Sequence, residues 1–136
     1  MPPHDEERGR LLAEWLRKAE DDVQVVELLL ASETGLANPV VFHAQQAVEK
    51  YLKAYLTWHQ VPFPNTHDIE RLLVLVESND KKLADTLADT TVLTMYGVEA
   101  RYPGDMEAAT DEEARDAVAL MHKACDAIRA ELPDCH

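Results

Sequence analysis

At 136 residues with 46% apolar side chains, the chain has the size of one domain and can bury roughly 68% of its unfolded surface without staples. No apolar run approaches the ~20 residues of a bilayer-spanning helix, and residues 1–7 carry no secretory leader pattern, so a soluble cytoplasmic protein is expected. The net charge of −13 excludes an extended nucleic-acid surface, which needs clustered Lys and Arg to release phosphate counterions.

That charge is uneven. Residues 1–35 hold 4 basic and 9 acidic side chains, 67–109 hold 4 and 9, and 110–136 hold 3 and 7. Residues 36–66 hold Lys50 and Lys53 against Glu49 alone. An anionic ligand is therefore expected on that stretch. Cys125 and Cys135 are the only cysteines, and they read as free thiols of a reducing compartment.

The pattern predicts an all-α chain of five helices, with residues 1–7 and 133–136 as flexible tails. The first helix runs from about Arg8 to Ser32, with Leu12, Trp15, Leu16, Ala19, Val23, Val26 and Leu30 on one face and Gly35 as its closing C′ residue. Asn38-Pro39 reads as N-cap and N1 of a second helix, which reaches about His59 and is stopped by Pro62 and Pro64. Thr66 is expected to cap a third helix, Asp68 to Glu77, with Ile69, Leu72, Leu73 and Val76 buried. Asn79-Asp80 separates it from a fourth, Lys81 to about Met95, and residues 97–109 form a loop. Thr110-Asp111-Glu112-Glu113 has the form of a capping box, opening a fifth helix that buries Ala114, Ala117, Val118, Met121, Cys125 and Ile128 and ends by Pro133.

Short connections between amphipathic helices favour an up-and-down bundle of four to five helices. The second helix is its centre. At 100° per residue, its apolar positions from Val40 to Trp58 sweep an arc of roughly 200°, where a surface helix needs about 100°. It must pack against two neighbours, or against one neighbour and a second subunit.

His43, Gln46, Lys50 and Lys53 form a polar row on the remaining side of that helix. Ammonium groups and amides in such a row suit phosphate and the polar groups of a base or sugar. Alternatively the row is a solvated face in which Glu49 pairs with Lys53 at i,i+4. His67, beside Asp68, either fixes the start of the third helix or faces the Arg101 loop. Arg101 is either an internal partner for Glu99 or Asp105, or a fork for phosphate; Tyr102 could stack on a base, while Tyr96 packs. On the last helix Arg115 and His122 lie seven apart, within about 20° of one direction. No Gly-rich phosphate loop, CxxC pair or His-Glu-x-x-His is present, and no metal or cofactor is expected.

Three motifs in order, Phe42-His43-Ala44-Gln45-Gln46-Ala47-Val48-Glu49-Lys50-Tyr51-Leu52-Lys53-Ala54, Thr66-His67-Asp68-Ile69 and Tyr96-Gly97-Val98-Glu99-Ala100-Arg101-Tyr102-Pro103, resemble the HEPN domain family over about Leu12 to Ile128. The Arg-Tyr-Pro loop resembles the subgroup without a recognisable nuclease pair. The resemblance implies a helical binding module whose partner is a minimal nucleotidyltransferase in a toxin–antitoxin-like pair. In that pair the HEPN chain is the toxin, or presents a nucleotide or a modifiable side chain. The implied nucleotide or anion site is His43, Gln46, Lys50, His67, Arg101 and Tyr102, in a homodimer. The family also contains metal-independent ribonucleases with four to six residues between an Arg and a His, and six, Asp116 to Met121, lie between Arg115 and His122; His122 would then act as acid or base at a ribose 2′-hydroxyl and Arg115 would stabilise the phosphorane. A third reading is a dimeric scaffold without a ligand. Whether the chain is an enzyme stays open at this point.

Overall fold

The computed structural model describes residues 3–32, 36–96 and 109–133, and every regular element among them is helical. In chain order these are α1 (Pro3–Ser32), α2 (Ala37–Trp58), α3 (Ile69–Asn79), α4 (Lys81–Thr86), a 3-10 helix (Ala88–Tyr96) and α5 (Asp111–Arg129). Cross-helix bonds give the directions. Asp22 meets His43 while Arg8 meets Trp58, so α1 and α2 are antiparallel. Asn38 meets Ala109 while Tyr51 meets Arg129, so α5 runs parallel to α2. The segment from α3 to the 3-10 helix carries the chain back between them, giving an up-and-down bundle.

Helix α2 packs against α1, α3, α5 and the 3-10 helix. Its whole apolar arc is consumed in this way: Val40, Ala44, Ala47, Val48, Tyr51, Leu52, Ala54, Tyr55 and Leu56 are all buried. The first of the two alternatives for that arc therefore holds, and several neighbours within the chain cover it. On α1 the buried stripe is Leu12, Leu16, Ala19 and Val26, with Trp15, Val23 and Leu29 packed at its edge. Leu30, which the 3.6-residue repeat places in line with Leu12, is nonetheless exposed near the C-terminal end of α1, and Leu29 packs against the core instead. On α5 the expected face is buried, Ala124 joins it, and Val118 is half-covered. Burial pushes the Cys125 thiol up to about 12, with the nearby Glu20 carboxylate adding to the shift, so it is an inert core group.

The helix ends follow local chemistry. Helix α1 begins at Pro3, ahead of the expected Arg8, and the Arg8 guanidinium stacks 4.0 Å from the Trp58 ring while donating to the Trp58 carbonyl at the end of α2. Asn38 does not cap α2, which starts two residues earlier than expected, at Ala37 with Leu36 as N-cap; the Asn38 side chain instead accepts from the Ala109 amide. Asp68, not Thr66, caps α3, because its carboxylate reaches the Glu70 amide; Thr66 Oγ1 accepts from the Asp68 amide one step earlier. The Thr110–Glu113 capping box is present in both directions. Gly35, residues 97–108 and Cys135 lie outside the described residues.

Two departures have clear causes. The expected fourth helix breaks at Leu87, and the chain continues as a 3-10 helix. Hydroxyls of Thr86, Thr90 and Thr91 bond back to the carbonyls of Lys82, Leu87 and Ala88, and the β-branched run Thr90-Thr91-Val92 weakens the α conformation. Leu87, Thr90 and Leu93, three apart, are then all fully buried, which is the 3-10 repeat. Helix α2 stops before Pro62. Gln60 takes φ of 60°, and the amides of Val61 and Gln60 bond to the carbonyls of Leu56 and Thr57, a Schellman closure with a side chain where glycine is favoured. Gln60→Gly should stabilise the fold by about 1 kcal/mol, read as a rise in urea midpoint with unchanged slope; an unchanged or lower midpoint would count against a strained closure.

Candidate functional site

Helix α2 is so extensively covered that its polar side chains must be satisfied inside the protein. Two carboxylates do this. Asp22, on the buried side of α1, accepts from His43 Nδ1 at 2.8 Å and from Lys50 Nζ at 2.5 Å. Its place in the sequence is telling: it stands three residues after Ala19 and four before Val26, on the same stripe. Glu49, only 2% exposed, accepts from Lys53 Nζ at 2.8 Å, Gln45 Nε2 at 3.1 Å and His67 Nδ1 at 2.8 Å. Gln45 Nε2 also approaches the His67 carbonyl at 3.3 Å, and its own carbonyl oxygen accepts from Gln46 Nε2. Lys53, 4% exposed, is roofed by the Trp15 ring, with Nζ 5.5 Å from the centroid.

Both histidines are thus held the same way. A carboxylate opposite Nδ1 fixes the proton there, and each Nε2 has no partner among the described residues. The His67 side chain is 71% exposed, that of His43 only 28%. These are imidazoles oriented by buried anions, able to accept from or donate to something outside. The expected row is therefore not a solvated face. The Glu49–Lys53 pair forms as its spacing implies, but inside the protein. Lys50 and Lys53 are each balanced by a carboxylate, so the row offers hydrogen bonds rather than a net positive field.

Of the expected site residues, His43 and Lys50 meet at Asp22, whereas Gln46 and His67 belong to a second cluster around Gln45 and Glu49; both clusters lie on α2, and no hydrogen bond among the described residues joins them. Arg101 and Tyr102 lie outside the described residues. Arg115 and His122 are elsewhere, on the flank of α5 that faces α1. Arg115 is exposed and has no partner among the described residues, while His122 Nε2 stands 3.2 Å from Glu27. One heptad further, Arg129 meets Glu20, and both reach the Tyr51 hydroxyl. Asp22, Glu20, Tyr51 and Arg129 are not evident from spacing, since each of these bonds joins different helices, whereas Gln45 stands one turn before its partner Glu49 on α2. Among the described residues, no three His, Cys, Asp or Glu side chains are placed to hold a metal ion, and no helix is long and apolar enough to cross a membrane.

The family model of the HEPN domain matches residues 12–131. The chain belongs to the HEPN domain family. No curated protein and no solved structure matches it significantly. In this HEPN domain the matched span takes in all of α2, α3, α4, the 3-10 helix and α5, and all of α1 from Leu12 on. Both oriented histidines and both buried carboxylates lie within it.

Removing one partner of a buried pair leaves the other charge stranded, typically at about 3–5 kcal/mol. Glu49→Ala should cost this much, because Lys53 loses its counter-charge under Trp15. Glu49→Leu combined with Lys53→Met should recover most of it. Thermal or urea unfolding reads both, and a double variant no better than the single one would mean that Glu49 acts mainly through Gln45 and His67.

Proposed function

We propose that this HEPN domain is a binding module that works with a minimal nucleotidyltransferase in a toxin–antitoxin-like pair, as a cytoplasmic homodimer, and that α2 with His67 forms its nucleotide site. The observation that carries the reading is the pair of carboxylate-oriented imidazoles, His43 on the non-acidic stretch and His67 just beyond its end, each with an Nε2 that has no partner among the described residues. Family membership supports it. In this reading the phosphate sits between Lys50 and Arg101, while His43, Gln46 and His67 serve the base or sugar. Tyr102 stacks on the base, which is worth about 1–3 kcal/mol. Because Asp22 already holds Lys50, phosphate must share that ammonium with a carboxylate, and millimolar rather than micromolar affinity follows. Titration calorimetry with ATP and AMP should give heat that disappears in Lys50→Ala and Arg101→Ala; no heat at millimolar nucleotide rejects the site.

A ribonuclease reading rests on Arg115 and His122 sharing one exposed flank of α5. Against it stand Glu27 at His122 and Glu20 at Arg129, two carboxylates along the path an RNA phosphate would follow. The purified chain should therefore leave RNA intact, whether or not it carries Arg115→Ala or His122→Ala. Cleavage by the wild type that both substitutions abolish, without change in melting temperature, would move the function to that pair.

A further inference from the structure

On the opposite flank of α5 lies a groove of about 580 Å³, within the ~300–1,000 Å³ of sites that take up ligands or anchoring side chains. It is bounded on one side by the 3-10 helix and on the other by α5 from Glu113 to Lys123. The buried Leu93 and Ala117, with the more open Val92, Ala119 and Leu120, give it an apolar lining. Its charged residues are Asp89, Glu113, Asp116 and Lys123, and the single cation is tied to Asp89 at 2.9 Å.

We propose that this groove docks a basic amphipathic helix of a partner protein. The α5 wall, eleven residues from Glu113 to Lys123, is about 15 Å long, enough for apolar anchors spaced i, i+4 and i+7 as in helix-in-groove recognition. With Glu113 held in the capping box and Asp89 by Lys123, Asp116 is the rim carboxylate without a partner among the described residues, and it favours Lys or Arg flanking those anchors and repels an acidic competitor. A second copy of this chain lacks that complement. It carries a net −13, and the lysines of its one non-acidic stretch are held by Asp22 and Glu49. The groove shares no residue with the α2 row, so peptide docking and nucleotide binding succeed or fail separately.

The test uses the full chain and labelled peptides of about 18 residues: a Leu/Lys amphipathic helix, a Leu/Glu helix with the same apolar positions, and the Leu/Lys composition scrambled out of register. Fluorescence anisotropy should show binding by the first peptide alone. Ala119→Arg, at an exposed α5 position, should abolish it with unchanged circular dichroism and melting temperature. Asp116→Lys should weaken it about tenfold more than Glu77→Lys, which makes the same charge change away from the groove. The proposal is overturned if the scrambled peptide binds equally, if Asp116→Lys and Glu77→Lys act alike, if no Leu/Lys peptide binds, or if Ala119→Arg splits a homodimer, which would make the groove a face between copies.

Discussion

Everything in this bundle depends on burying two carboxylates against α2. A helix covered by four neighbours cannot send its lysines, histidine and glutamines to water, and unpaired they would be prohibitively costly. Asp22 from α1 and Glu49 from α2 itself solve this with five side-chain donors between them. The loop ahead of α3 joins the Glu49 cluster through His67. The polar residues that make α2 distinctive are thus also what fixes α1 and the α2–α3 connection to it. Local neutrality follows as well: in a strongly acidic chain, the charges of Glu49, Lys50 and Lys53 on α2 cancel with Asp22 within the fold.

Much of the architecture was legible because it rests on short-range rules. The apolar repeats of α1, α2 and α5 mark their buried faces, and Thr110 with Glu113 announces the start of α5. The 3-10 helix was less so. Leu83 and Leu87 are four apart, and only the following Leu87–Thr90–Leu93 spacing of three betrays the change of period. Reading Thr90 as part of a buried row requires knowing that its hydroxyl bonds back to Leu87. Likewise Thr66 and Asp68 are both good caps, and only the backbone path decides between them.

The candidate site was legible as a row and not as a network. Spacing along α2 groups His43, Gln46, Lys50 and Lys53, but it cannot name the carboxylate that faces them across the helix contact. Asp22 offered one clue, a charged residue inside an apolar stripe opposite two lysines with a single acidic neighbour. Arg129 offered another, since it falls in line with Arg115 and His122, yet its partners Glu20 and Tyr51 sit on other helices. Side-chain pairing between helices depends on their rotation and height, and a single sequence does not encode those locally.

The ladder along α1 has a mechanical consequence. Glu20 and Asp22 engage Tyr51, Lys50 and His43, while Arg8 grips the end of α2. Sliding α1 by one turn, about 5.4 Å, would strand all of these at once, so α1 and α2 are keyed like teeth in a rack. Among the described residues, the ion pair between the 3-10 helix and α5 is a single one at the surface, Asp89 with Lys123, so this contact has no comparable ladder of buried charge pairs.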